Sequence, residues 1–396
     1  MSISATNPAL AQQANSEGVA ALRRGDAAGA VSAFTRAVAA DPHALPLYLN
    51  LAHAQRMAGD GPAERAALEA ALNIDRLDFT AQLRMAQLLA RMGEEVAALM
   101  AWGAVQQLAA QNPGLGPAAL AEVAAGQAYC AALQARVAGR IAPALDPARA
   151  EWSTQEQRRI DAFLARALGQ RPIYHNECAG LHYPFLPEDE YFDRDHFPWF
   201  DQLEAAAETI KGELEALLAT PGDLLEPYVQ MDEGGPETVW SALDRSYDWS
   251  VAYLWKYGRR IEPIQQRCPA TAAVLDALPL AHIPGRAPNA FFSLLKPHSH
   301  IPPHTGVTNS RAIIHLGLDI PPGCWFRVGG ETREWTAGKA FAFDDTIEHE
   351  AFNGSDQLRA VLIIDSWNPH LTGAERAAIT SYYRVADETL GGTAVQ

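Results

Sequence analysis

Three glycines, Gly25, Gly59 and Gly93, stand 34 residues apart, and three further columns keep the same step in phase. These are Phe34, Leu68 and Trp102; Gly18, Ala52 and Ala86; and, less strictly, Ala37, Ala71 and Val105. A period of this length restricts the first part of the chain to stacked helix pairs, because one pair cannot bury its apolar stripe alone and must cover it with the next. The glycines permit a tight turn between two helices, and the small residues let backbones approach. The texture agrees: residues 1–170 are rich in Ala, Leu and Arg, contain no lysine, and space their apolar residues helically rather than alternately.

This pattern resembles the tetratricopeptide repeat (TPR). The resemblance implies three repeats over residues 11–112, followed by capping or linker helices over 113–170. One departure is that Pro42 has no counterpart at Arg76 or Ala110, where such repeats often end in proline. A concave repeat surface implies a peptide or protein partner; the plainer alternative is an Ala-rich helical bundle without a binding role.

Charge separates the two parts of the chain. Lys plus Arg total 31 against 47 Asp plus Glu, a net charge of −16, yet residues 1–170 hold 14 basic and 15 acidic side chains, so the excess lies beyond them. Without a basic run, neither nucleic acid nor insertion into a membrane is expected. Cys130, Cys178, Cys268 and Cys324 are far apart, which argues against a disulfide framework or a cysteine zinc site. Reduced thiols, an N-terminus without a basic and apolar leader pattern, and the lack of an apolar run of membrane-spanning length lead to the expectation of a cytoplasmic protein. Nothing in the sequence indicates an oligomeric state.

Past residue 170 the chain becomes aromatic and Pro-rich, with seven Phe, Tyr or Trp rings between Tyr183 and Phe200, a segment expected to form an irregular collar. Amphipathic helices are predicted over 201–219 and 263–278. After residue 288, short apolar runs (NAFFSLL, RAIIHLGL, CWFRV, KAFAF, RAVLIID) are broken by Pro, Gly, Asn and Asp, the spacing of an antiparallel sandwich or barrel. Five of twelve histidines fall between 298 and 349, and an arginine opens the last apolar run. A lone histidine is usually structural; a cluster beside an arginine favours a metal site.

The segments KPHSHIPPHTG, RAIIHLGL, GKAFAFDDTIEHEAFN and RAVLIIDSWNPHL together resemble the aspartyl/asparaginyl β-hydroxylase family. The resemblance is strongest over 290–370 and, with the aromatic segment, spans about half the chain. It implies a domain over 171–390 built on a double-stranded β-helix (a cupin-like jelly roll) with flanking helices. It also implies an enzyme that uses Fe(II), 2-oxoglutarate and O2.

By position, the resemblance makes His304 and His349 the metal ligands. The usual third ligand, a carboxylate two residues after the first histidine, is replaced by Gly306, a departure the family shares, so the anionic 2-oxoglutarate must balance the ferrous charge. Whether another protein group takes the third position is open. Asp345 is implied to be catalytic through metal-bound water, although the Asp344/Asp345 pair also reads as a turn. Arg359 is implied to grip the distal carboxylate of 2-oxoglutarate, for which a guanidinium fork is suited. Ser293, Arg311 and His315 complete the implied cosubstrate site; an arginine expected two residues beyond Arg311 is Ile313. His298 and His300 read as rim or loop residues. Trp240, Trp249 and Trp255 are divided between a substrate groove and the core, with core packing expected for at least two.

The resulting expectation is a dioxygenase that hydroxylates an unactivated C–H, at the β-carbon of Asp or Asn in a peptide or protein recruited by the TPR region. Two alternatives stay open: a hydroxylase of a free amino acid or lipid acyl chain, and a non-catalytic TPR scaffold whose jelly roll binds a ligand.

Overall fold

The computed structural model describes residues 6–390 except 233 and 235. It divides into two units, Met1–Trp152 and Ser153–Gln396. Among the described residues, no helix is long and apolar enough to cross a membrane.

The first unit is all helix: α1 (Pro8–Arg23), α2 (Ala27–Ala40), α3 (Leu45–Ala58), α4 (Gly61–Ile74), α5 (Phe79–Met92), α6 (Glu95–Ala110) and α7 (Pro117–Arg149). Local chemistry sets the ends. Asn7, Asp26, Asp60 and Asp78 each accept a bond from a backbone N–H three residues on, which satisfies a donor that the first turn leaves free. Gly25, Gly59 and Gly93 all have φ of 75–76°, a left-handed conformation that disfavours a side chain. The repeated columns are buried: Phe34, Leu68 and Trp102 form one, and Ala37, Ala71 and Val105 another. A Cβ added at Gly18 would lie 2.6 Å from the Phe34 ring, so this position is small because Phe34 rests on it. The 34-residue period therefore corresponds to three helix pairs, α1/α2, α3/α4 and α5/α6, with α7 continuing the stack.

The second unit opens with α8 (Thr154–Ala167). This helix, expected among the linkers of the first part, belongs here because Arg158 bonds the Glu331 carboxylate at 2.6 Å and the Tyr191 carbonyl at 2.9 Å. Next come β1 (Tyr191–Phe192), α9 (Phe200–Ala205), α10 (Ala207–Ala219), β2 (Glu226–Pro227), β3 (Trp249–Lys256), β4 (Arg259–Arg260), α11 (Glu262–Arg267) and α12 (Pro269–Asp276). The helix predicted over 263–278 is thus two helices parted at Cys268, where the following Pro269 opposes helical continuation. The helix predicted over 201–219 is likewise divided at Ala206.

The remaining strands are β5 (Ala290–Leu295), β6 (His300–His304), β7 (Arg311–Asp319), β8 (Cys324–Val328), β9 (Glu331–Glu334), β10 (Ala340–Phe343), β11 (His349–Asn353) and β12 (Arg359–Trp367), closed by α13 (Gly373–Leu390). They pair antiparallel in a nested order: β5 with β12, β6 with β11, β7 with β10, and β8 with β9. Two sheets result, β1-β10-β7-β12-β5-β3-β2 with β4 on β3, and β6-β11-β8-β9.

Alternation along the larger sheet sorts its side chains. Ala360, Leu362 and Ile364 of β12, with Ala312, Ile314 and Leu316 of β7, face a core shared with α10–α12. Val361 and Ile363, with Ile313, Phe291 and Leu295, face the second sheet. Arg359, Arg311, His315 and Ser293 have the parity of this second group, so strand register alone sends them between the sheets.

Candidate active site

A cavity of about 750 Å³ opens between the sheets, and Ser293, His304, Arg311, His315, Asp345, His349 and Arg359 all line it. Every candidate residue read from the sequence therefore reaches one space.

His304 ends β6, His349 begins β11, and the two are direct cross-strand partners with ring centroids 4.0 Å apart. Each ring is held by the carbonyl two residues before it: His304 Nδ1 to Pro302 at 2.8 Å and His349 Nδ1 to Ile347 at 3.0 Å. A carbonyl only accepts, so each Nδ1 carries the proton and each Nε2 keeps its lone pair. Burial lowers the pKa of His304, and burial followed by the neighbouring His304 pushes His349 well below the usual range. Two neutral, oriented imidazoles fit a divalent transition metal. Among the described residues no group of three or more His, Cys, Asp or Glu side chains forms a metal site, so these two stand without a third protein ligand.

Gly306 explains part of this. A Cβ built there would overlap the Asp345 carboxylate, so Asp345 occupies the space a side chain at 306 would need. The neighbouring acids have separate roles. Asp344 accepts bonds from Thr346 N (3.0 Å), Thr346 Oγ1 (2.6 Å) and Asn176 Nδ2 (2.9 Å), closing a turn. Asp345 points into the cavity; its Oδ1 is buried without a partner, and burial drives its pKa up to about 7 against the opposing pull of Arg311.

At the inner end, Arg359 is 1% exposed, the largest of the fully buried side chains. Its contacts are long: Nη1 lies 3.3 Å from the Ser293 carbonyl and 3.4 Å from Ser293 Oγ, while Nε has no partner. No carboxylate pairs with it among the described residues, and burial depresses its pKa to about 10. Leaving a buried guanidinium uncompensated costs several kcal/mol, roughly 3–5 by analogy with broken buried pairs. An orphaned donor on a cavity wall fits a carboxylate ligand.

Trp249 Nε1 donates to Ser293 Oγ at 3.0 Å, and Trp335 Nε1 donates to His315 Nδ1 at 3.2 Å. Burial and then Arg359 hold His315 neutral. Arg311 differs from Arg359 in having its own counter-ion: Nη1 bonds Asp365 Oδ2 at 2.7 Å, and Asn289 donates to that oxygen twice, at 2.9 Å each. His298 and His300 are not among the residues lining the cavity and pair with Asp356 and Glu350. Trp240 packs edge-on against His304 at 4.8 Å; it and Trp249 line the cavity, whereas Trp255 sits in the helix-side core.

Sequence reading passed over Trp335 and Asp365. The signal for Asp365 was present: an acid in an apolar strand, six residues after Arg359 and therefore of the same parity. Trp335 carried no such signal, because it lies in the connection between β9 and β10.

The family model for aspartyl/asparaginyl β-hydroxylase matches residues 204–369. The human aspartyl/asparaginyl β-hydroxylase is 40% identical over 134 residues, 33% of this chain and 17% of that protein. The ornithine lipid ester-linked acyl 2-hydroxylase of Rhizobium tropici is 32% identical over 196 residues, 49% of this chain and 66% of that protein. Human aspartate β-hydroxylase domain-containing protein 2 is 33% identical over 200 residues, 50% and 52% respectively. The match thus spans less than a fifth of the human hydroxylase. Among solved structures, the first TPR of Spaghetti (RPAP3) bound to an HSP90 peptide is similar, at 17% identity over 31% of this chain and 94% of that chain, with a TM-score of 0.28. The part of the chain over residues 204–369 thus matches the aspartyl/asparaginyl β-hydroxylase family.

Proposed function

We propose that this protein is an Fe(II)- and 2-oxoglutarate-dependent dioxygenase that hydroxylates the β-carbon of an Asp or Asn residue in a peptide or protein. The observation that carries the reading is one cavity holding two neutral, cross-strand histidines and a buried arginine with no anion of its own. The nested pairing of β5–β12 supports a jelly roll as the scaffold.

His304 and His349 would hold the metal through Nε2, and Arg359 with Ser293 would take the distal carboxylate of 2-oxoglutarate. When bound, the iron would couple oxidative decarboxylation of 2-oxoglutarate by O2 to insertion of one oxygen atom into a C–H bond. Asp345, with its pKa near 7, can hold or release a proton beside the histidines at neutral pH. Tyr228, Trp240, Tyr253 and Phe291 give the outer cavity an aromatic wall that orients substrate and excludes water. Arg311, fixed by Asp365, supplies a second oriented cation.

The helical unit would present the polypeptide. In support, polar contacts link the first helices of successive pairs: Asn50 Nδ2 to Asn15 Oδ1 at 2.8 Å, and Arg84 Nη1 to the Leu49 carbonyl at 2.7 Å. Burial and the nearby Arg56 depress the pKa of Arg84 against the opposing pull of Asp78 and Glu64, and its guanidinium is the charge an acidic segment would meet. A second reading, hydroxylation of a lipid acyl chain, is favoured by the Rhizobium relative and by the apolar share of the cavity wall.

The test is succinate formation with Fe(II) and 2-oxoglutarate, followed by mass spectrometry of Asp/Asn peptides, free amino acids and ornithine lipid. A gain of one oxygen on an Asp or Asn residue is expected; oxygen on an acyl chain selects the second reading. Wild-type succinate formation no greater than that of His349→Ala would end the catalytic proposal. Arg84→Glu should weaken turnover of long acidic peptides and leave short ones unaffected.

A further inference from the structure

Trp335 is a donor-only side chain whose one polar atom is spent on His315. Because the indole N–H donates to Nδ1, that nitrogen must be the acceptor. A neutral imidazole then has its proton on Nε2, the nitrogen left for the cavity that His315 lines. The ring of Trp335 is placed as well: the Arg359 guanidinium carbon lies 5.0 Å from its centroid, and the His315 ring lies beside it, nearly parallel, at 6.1 Å between centroids and 14°. Trp335 is 4% exposed, so these relations are held in the packed core between the sheets.

We propose that Trp335 is a positioning residue that locks His315 as an Nε2–H donor and holds the Arg359 guanidinium over its ring, so that two buried donors face one small dicarboxylate. The alternative tautomer would turn a lone pair towards that ligand and repel its carboxylate. It would also leave the indole N–H without an acceptor, a buried donor of the costly kind. The π face of Trp335 gives Arg359 partial compensation while the cavity holds no anion, which a carboxylate in the same place would give too strongly for a ligand to compete. The identity of the dicarboxylate as 2-oxoglutarate rests on the function proposed above; the tautomer assignment does not.

The experiment is ¹⁵N NMR of the full-length, metal-free protein, with the His315 signals assigned by their loss in His315→Asn. In the wild type the nitrogen shifts should show Nε2–H; an Nδ1–H ring or an imidazolium overturns the proposal before any variant is made. Trp335→Phe keeps an aromatic face for Arg359 and removes the N–H, and Trp335→Gln returns a donor. Trp335→Phe should shift His315 towards Nδ1–H and weaken 2-oxoglutarate binding to the Mn(II)-loaded protein about tenfold, with Trp335→Gln recovering part of the Nε2–H signal. A Trp335→Phe protein with unchanged His315 shifts, or unchanged 2-oxoglutarate affinity, overturns the proposal. If the wild type shows Nε2–H and Trp335→Phe shifts it but neither binds 2-oxoglutarate, the functional reading fails while the control of His315 by Trp335 stands.

Discussion

The two units differ in the kind of polar group they bury. In the helical unit the buried columns are Ala, Leu, Val, Phe and Trp, and the buried charged residue among those described is Glu64, which is paired to Arg91 at 2.7 Å. In the β unit the space between the sheets holds Ser293, His315, His349, Asp345 and Arg359, and two of these leave a buried polar atom unpaired. The helical unit also leaves two buried polar atoms without a partner, Gln55 Oε1 and Trp102 Nε1, but both belong to neutral groups, whereas Asp345 and Arg359 are ionisable and line one cavity. A cavity lined by unsatisfied donors gives up stability locally, and that deficit is what a ligand can relieve. The comparison shows that regularity locates the fold, and that unpaired ionisable groups gathered in one cavity locate the chemistry.

That contrast can be broken by substitution. The largest effect is expected for Arg359→Met, which should reduce 2-oxoglutarate affinity by about a hundredfold or more while leaving the melting temperature unchanged or raised, since an uncompensated buried charge is removed. Calorimetric titration and thermal denaturation check both halves; a lower melting temperature would mean that Arg359 contributes to stability. In the helical unit, Phe34→Ala should cost about 3–5 kcal/mol in urea unfolding, the usual penalty for emptying a tightly packed aromatic site. Gly306→Ala should destabilise by about 1–3 kcal/mol, because the new methyl group meets the Asp345 carboxylate. In an Asp345→Ala background most of that penalty should vanish, and a double-mutant cycle with no coupling would show that the two positions do not compete for space.

The pH dependence sharpens the same point. Asp345 is raised by burial from the ordinary carboxylate range to about 7, so between about pH 4 and 7 the folded state binds a proton that the unfolded state has lost. Its contribution to stability therefore falls as pH rises through that window and is flat above it. His304 and His349 act in the opposite sense, since burial lowers both and folding releases their protons below their ordinary pKa. Subtracting the Asp345→Asn stability curve from the wild type isolates the carboxyl term, and a difference that does not decline from pH 4 to 7 would refute the assignment. The smallest effect belongs to Arg36→Ala, whose exposed pair with Glu17 should leave the unfolding midpoint unchanged.

Much of this architecture is legible along the chain. The spacing of Gly25, Gly59 and Gly93 announces helix pairs because each glycine serves a turn formed within a few residues of it. The parity of Arg311, Ile313 and His315, and of Arg359 and Asp365, assigns faces because strand alternation is a local rule. His304 and His349 are singled out by the resemblance of their motifs, and the structure adds that each ring is oriented by a carbonyl two residues before it.

Other features depend on partners distant in the chain. The strand Trp249–Lys256 lies before the apolar runs that marked the sheet, and it becomes a strand by pairing with Ala290–Leu295. The helix Thr154–Ala167 reads like its helical predecessors and joins the β unit through Arg158 and Glu331, 173 residues apart. Asp344 and Asp345 are chemically identical in sequence; Asn176, 168 residues before Asp344, is among the groups that hold it in the turn, and its neighbour is left facing the cavity. The repeat period, the capped starts of the repeat helices and the strand faces were determined by the sequence itself, since a cap bonds a backbone N–H three residues on and strand faces alternate at every second residue. Which carboxylate meets the cavity, which arginine keeps a counter-ion and which tryptophan orients His315 were decided only in the tertiary structure, because each depends on hydrogen-bond geometry between elements that folding alone brings together.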